Sequence, residues 1–290
     1  MDGIVIINKP KHQTSHDIVR KAKKILNEKV GHTGTLDPNA TGVLPLLIGK
    51  GTELSKYLIN HDKTYEAILQ LGEKRDTGYV EGKIIEQKNV TEKSLNTENI
   101  NSVFKTLIGK QEQIPPIYSA LKVNGKKLYE YARKGQNIEV PKREIEIYEI
   151  ELLNVDKQNK KIEYKVHCSK GTYIRTLCYD IGKDLGVGGC MEHLVRSRVD
   201  RFKVEDSITL SQIEEFRDNG TLKDYIVPAD EMLDMYSKCM VSENAEKLVY
   251  NGNIFTSGNT LLKMNHKEGQ TVRVYTHDGK FIGLYMFIAD

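Results

Sequence analysis

Residues 31–45 present an acidic side chain in the way a reactive group is presented. Asp37 sits at the centre of Gly31-His32-Thr33-Gly34-Thr35-Leu36-Asp37-Pro38-Asn39-Ala40-Thr41-Gly42-Val43-Leu44-Pro45. Three glycines and two prolines break both helix and strand here, so the stretch is a structured loop. Pro38 restricts Asp37 to extended backbone values. A carboxylate on a stiff loop, among hydroxyls and one histidine, is a candidate for chemistry. For an isolated Asp-Pro in a loop, the favoured reading is a turn in which Asp37 bonds only its own backbone. Phosphate cradling is excluded: Gly49-Lys50-Gly51-Thr52 lacks the upstream glycine spacing, and no Gly-x-Gly-x-x-Gly lies between a strand and a helix.

Two further places carry candidate groups. Tyr65 follows Lys63-Thr64 at the start of a strand pattern, where tyrosine is also an ordinary packing residue. Tyr173 and Arg175 stand two apart at the turn into a helix, a pattern that a helix start with one exposed arginine also explains.

The elements that must position these groups follow from periodicity. Residues 3–7 read as a strand. Thr14 and Asp17 form a capping box for a helix with Ile18, Ala22, Ile25 and Leu26 on one face. A short helix is expected over 52–58 and an alternating strand over 65–71, followed by a polar, mobile loop over 73–82. A helix opens at Thr97, with Ile100, Val103, Phe104, Leu107 and Ile108 inward and Gly109 as its stop. Another short helix covers 128–134. Strands follow over 143–153 and 161–168, the first slipping phase near Tyr148 as a bulge would. Helices are expected over 174–185 and 209–219, then a linker over 228–238. The last fifty residues hold one short helix and two strands joined at Asp278-Gly279.

With 290 residues, 39% hydrophobic and 29% charged, the chain can bury one large domain and a small one. No apolar run reaches the length of a membrane helix, and the run from Ile4 to Ile7 is too short for a signal peptide, so a cytoplasmic protein is expected. Four cysteines without a C-x-x-C pair indicate neither zinc nor disulfides, but reduced, mostly buried thiols. The net charge of +3 hides an uneven distribution. Residues 1–30 hold seven Lys/Arg against three acids, 122–134 five against one, and 193–203 four against one, while 205–235 hold nine acids against two bases. The basic clusters suit a phosphate backbone, although each alone is also an ordinary solvated face.

The 31–45 run resembles the signature of the TruB family of tRNA pseudouridine synthases. So do Asn8-Lys9-Pro10, Lys63-Thr64-Tyr65, Pro115-Pro116-Ile117-Tyr118-Ser119-Ala120, Leu128-Tyr129-Glu130-Tyr131-Ala132-Arg133-Lys134-Gly135 and Ser169-Lys170-Gly171-Thr172-Tyr173-Ile174-Arg175, in order over residues 3–203. The resemblance implies an α+β fold. A pseudouridine synthase catalytic domain over 1–230 would carry a mixed, mostly antiparallel sheet flanked by helices. A small β-rich, PUA-like RNA-binding module would occupy 238–290. It implies an isomerase that flips a uridine out of the tRNA T-loop, at position 55, and converts it to pseudouridine.

Carried over by position, Asp37 is the nucleophile and Arg175 its ion-pair partner. Tyr65 stacks on the target uracil and takes the C5 proton, while Tyr173 lies beside the aspartate. Leu194 closes the pocket, His32 fills the space the extruded bases leave, and Lys9 supports the site. No metal and no cofactor are implied. The implied partner is the tRNA T stem-loop, with no membrane and no required protein partner, for a monomer. The chain departs from the family pattern where Cys190 stands for the usual histidine and Val195 for the first arginine. Two competing readings are a non-catalytic RNA-binding protein that kept the fold and a guide-dependent pseudouridine synthase of the H/ACA type. The first needs none of the Asp37, Tyr65, Tyr173 and Arg175 set, and the second carries extensions that this chain lacks.

Overall fold

The computed structural model describes residues 1–55, 61–261 and 267–288. Among these, residues 3–226 form one compact unit and 227–290 another.

In the first unit, β1 (Gly3–Lys9) is buried on both faces from Gly3 to Ile7, as an unbroken apolar run demands of a central strand. Helix α1 (Ser15–Leu26) starts at the expected capping box of Thr14 and Asp17 and buries Ile18 and Ala22. It leads to β2 (Val30–His32), the candidate loop and β3 (Thr41–Ile48), which pairs antiparallel with both β1 and β2. A 3-10 turn covers Gly49–Leu54; of the helix expected over 52–58, residues 56–58 lie outside the described residues.

β4 (Lys63–Leu71) buries Tyr65, Ala67, Leu69 and Leu71, the face its alternation marks. The polar stretch that follows is a built element rather than the expected loop. β5 (Glu73–Arg75) pairs with β6 (Ile84–Gln87), and between them Tyr79 turns inward to 7% exposure. Helix α2 (Thr97–Leu107) is capped by Asn96, whose side chain accepts from the Glu98 and Asn99 amides. It stops because Gly109 turns to a φ of +104° at the start of β7 (Gly109–Gln113).

A hairpin of β8 (Lys122–Val123) and β9 (Lys126–Lys127) precedes the short α3 (Leu128–Arg133). β10 (Arg143–Asp156) and β11 (Lys161–Cys168) pair antiparallel, with the expected bulge: the register skips Tyr148 between Ile147 and Glu149. Helix α4 (Ile174–Asp184) and β12 (Gly189–Val199) follow, then β13 (Phe202–Lys203) and α5 (Leu210–Asp218).

The main sheet runs β1-β3-β12-β4-β11-β10-β7, antiparallel except where β12 lies parallel to β3. Two hydrophobic clusters fill the unit. One joins β4, β10, β11 and β12 to α2 and α4; the other joins β1 and β3 to α1 and α5. The four cysteines are free and buried, and burial pushes the Cys168 and Cys178 thiols up to about 12, so they serve as apolar filling.

The second unit holds a three-stranded sheet, in which Ser237–Met240 lies parallel to Thr271–Tyr275 and the latter antiparallel to Phe281–Met286. Asp278 and Gly279 form the expected turn, Gly279 at a φ of +88°. Its small core includes Cys239, Val241, Val249 and Val274. The stretch expected as a linker is structured, because Ala229–Leu233 makes a 3-10 turn that buries Met232 and Leu233. Among the described residues, no helix is long and apolar enough to cross a membrane.

Candidate active site

The loop between β2 and β3 carries many main-chain carbonyls that do not point to a strand partner, and each must find a donor if buried. Ser15, the first residue of α1, supplies one hydroxyl: it accepts from the Leu36 amide at 2.9 Å and donates to the Leu36 carbonyl at 3.1 Å. Two buried cations supply more. Lys9, fully buried, donates from Nζ to the carbonyls of Pro10, Gln13 and Pro38. Arg196, 1% exposed, donates to the carbonyls of Val43, Thr35 and Gly34 at 2.7, 3.4 and 3.2 Å. The Ala40 amide closes a turn onto the Asp37 carbonyl. The backbone that presents Asp37 is thus held from α1, β1 and β12, the last more than 150 positions away in sequence.

The Asp37 carboxylate meets a buried arginine. Arg175 Nε lies 2.8 Å from Asp37 Oδ2, the arginine side chain 4% exposed and the aspartate 30%. The other arginine nitrogens donate to the carbonyls of Thr77 at 3.1 Å and Tyr118 at 2.9 Å, so the guanidinium is fixed on all sides. A buried charge satisfied in this way orients its partner rather than simply neutralising it. The turn into α4 is set by Gln113, whose amide oxygen accepts from the Tyr173 N–H while its nitrogen donates to the Tyr173 carbonyl.

A cavity of about 830 Å³ opens over this pair. Asp37, Tyr65, Tyr173, Arg175 and Leu194 all line it, so five of the seven candidates meet in one place. Tyr65 faces in from β4 opposite Arg196 of β12, and burial pushes its hydroxyl up to about 12, against the pull of the Arg196 guanidinium. Lys63 lines the same cavity, its ammonium lowered to about 8 by burial and by Arg196.

The other two candidates lie elsewhere. His32 lines a second cavity of about 680 Å³ that shares Asp37 and Arg175 with the first. Its Nδ1 is buried without a partner, and burial lowers its pKa, which favours a neutral ring. Lys9 lines neither cavity; burial lowers its ammonium to about 8, and Asp37 partly opposes that shift.

Three groups at the site escape sequence reasoning. Arg196 and Lys63 pass for ordinary strand cations. Tyr79 passes for part of a polar loop, yet its hydroxyl donates to Asp37 Oδ2 at 2.9 Å. Its one signal is an aromatic residue isolated in a run of glycines and charges. Conversely, Arg198, a candidate phosphate contact by its cluster, is already bound to Asp62.

Residues 22–174 match the TruB family pseudouridylate synthase (N terminal domain), and residues 175–234 match the tRNA pseudouridylate synthase B C-terminal domain. The chain is 44% identical over 287 residues to tRNA pseudouridine synthase B of Clostridium novyi, covering 99% of this chain and 96% of that one. To tRNA pseudouridine synthase B of Bacillus cereus it is 41% identical over 293 residues, covering 98% and 95%. Among solved structures, a chain of a Cbf5-Nop10-Gar1 complex superposes with a TM-score of 0.70 at 28% identity, covering 99% of this chain and 78% of that one.

Proposed function

The chain belongs to the TruB family of pseudouridylate synthases, and from that premise we propose that it converts uridine 55 in the T-loop of tRNA to pseudouridine, with Asp37 as the nucleophile. The observation that carries this reading is the 2.8 Å contact between Arg175 Nε and Asp37 Oδ2 at the floor of a cavity wide enough for a flipped base. The reaction breaks the N1–C1′ bond, turns the uracil and rejoins it through C5. A carboxylate that attacks C1′ or C6 divides this into two easier steps. A target base in a folded loop must leave its stack, and Tyr65 offers the ring on which it stacks, with Leu194 of the neighbouring strand β12 as an apolar wall beside it. Tyr173 borders the nucleophile, and the Tyr65 hydroxyl handles the C5 proton. His32, its Nδ1 buried without a partner and its pKa lowered by burial, fits the space left by extruded bases. Residues 238–290 would add an RNA-binding module, and the free enzyme would act in the cytoplasm as a monomer without metal, cofactor or protein partner.

The test uses the purified chain on unmodified tRNA with no guide RNA and no second protein. Chemical mapping of pseudouridine is expected to find product at position 55 with wild type and none with Asp37→Asn, while filter retention finds both bound. Asn keeps the shape of the side chain and removes its charge. Product elsewhere in the tRNA, or conversion by the Asn variant near the wild-type rate, overturns the reading. Conversion only when a guide RNA is added would favour the H/ACA-type alternative.

A further inference from the structure

Tyr79 lines the second cavity and not the first, which Tyr65 and Leu194 line. Its hydroxyl donates to Oδ2 at 2.9 Å, the same oxygen that Arg175 Nε contacts at 2.8 Å. No hydrogen bond among the described residues falls on Oδ1. We propose that Tyr79 is a positioning residue of the isomerisation: with Arg175 it fixes Oδ2 and so leaves Oδ1 as the attacking oxygen. This rests on the reading of Asp37 as nucleophile.

The placement of Tyr79 is built rather than incidental. Its segment is stitched to β12, where the Val80 amide donates to the Met191 carbonyl and the Met191 amide to the Gly78 carbonyl. Gly78, at a φ of +76°, brings the chain against the Arg175 side chain, where an added Cβ would stand 3.4 Å from Arg175 Cβ. The Tyr79 ring then lies 5.3 Å from the Arg175 guanidinium carbon, within cation–π range. Burial and the neighbouring Asp37 push the hydroxyl far above the usual tyrosine range, so it stays a protonated donor at every working pH.

In either mode of attack the step balances without a further reactant. An Oδ1 lone pair forms the new C–O bond. The displaced electrons go to N1 of the departing uracil if C1′ is attacked, or to the C5–C4–O4 enolate if C6 is attacked. A carboxylate free to rotate presents the correct oxygen only part of the time, and orientation of this kind acts on the chemical step rather than on binding.

Tyr79→Phe keeps the ring and removes the donor. Measured beside wild type and Asp37→Asn, it is expected to lower the single-turnover rate about 10- to 100-fold, the loss of a hydrogen bond to a charged acceptor. KM for tRNA and melting temperature are expected to stay at wild-type values. If wild type makes no pseudouridine, or Asp37→Asn makes it normally, the nucleophile reading fails and takes this one with it. If those two behave as expected and Tyr79→Phe turns over like wild type, only the Tyr79 proposal is overturned. It is overturned as well if Tyr79→Phe raises KM and lowers the melting temperature without changing the rate at saturation, the pattern of a packing residue.

Discussion

Gly42 lies so close to the Arg196 backbone that a Cβ added to it would stand 2.3 Å from the Arg196 carbonyl oxygen. The two are register partners where β3 and β12 run parallel, and Gly42 holds a φ of +104° there. From this crossing the Arg196 side chain reaches the carbonyls of Val43, Gly34 and Thr35. The contact therefore sets how far the Asp37 loop stands from the strand that carries Leu194. Gly42→Ala meets both a backbone clash and a strained φ, each costing about 1–3 kcal/mol. Urea denaturation is expected to show a loss of about 3 kcal/mol or more, with activity lost in step. A wild-type midpoint would mean that β3 and β12 separate without cost.

Much of the fold could be read from local patterns. The Thr14 and Asp17 capping box, the Tyr148 bulge and the Asp278-Gly279 turn each depend on residues within a few positions of one another, and each stands where expected. The gathering of Asp37, Tyr65, Tyr173, Arg175 and Leu194 into one cavity followed from the family resemblance. No periodicity could have brought residue 37 to residue 175.

What escaped the sequence depends on long-range contact. Tyr79 acquires its partner across 42 positions, and Arg196 reaches carbonyls more than 150 positions away. The stretch 228–238 reads as a linker because no periodicity marks it, yet Met232 and Leu233 supply enough apolar surface to fold residues 229–233 down. Burial of two residues outweighs the lack of a local pattern.

Lys9 makes a pH test possible. Burial holds its ammonium near 8 in the folded chain, against 10.5 for the ordinary group. Between those values the unfolded chain binds more protons than the folded one, so the contribution of Lys9 to stability rises with pH across the window. Below about pH 8 the burial penalty is fully present. The stability of wild type minus that of Lys9→Met is expected to rise by on the order of 2–3 kcal/mol from pH 8 to 10.5. Taking the difference cancels the thiols and tyrosines that titrate in the same range. A flat difference would place the Lys9 ammonium in water.

RNA affinity offers a second separation. Lys126 is exposed, and Lys127 stands at the second cavity 5.5 Å from the Tyr129 ring centroid. Arg198 is instead committed to Asp62 and to the Thr64 hydroxyl. Removing the charge of either lysine is expected to flatten the dependence of log affinity on log salt by about 0.7–0.9 per lost phosphate contact. Arg198→Gln is expected to leave that slope unchanged. Equal slopes for all three variants would mean that the 122–134 cluster is a solvated face.

Tyr65 is where packing, stacking and proton transfer make different demands. The ring is 7% exposed on β4, and its hydroxyl is pushed up to about 12. As packing alone, Tyr65→Phe is silent. As a stacking surface for uracil, Phe is again tolerated, but Tyr65→Leu loses about 1–3 kcal/mol, roughly 5- to 150-fold in rate. As the group that takes the C5 proton, Tyr65 acts only once its own proton has gone, and at neutral pH that form is scarce. The wild-type single-turnover rate is then expected to climb with pH from 7 to 9.5, because the ionised fraction grows tenfold per unit below 12. Tyr65→Phe is expected to be slower by about 10²–10⁴-fold, a typical range for general acid–base catalysis. Its rate is also expected not to climb with pH. Melting temperatures measured alongside separate a folding defect from a chemical one. A Phe variant with the wild-type rate, stability and pH profile would remove the hydroxyl from the reaction and leave the ring as a stacking surface.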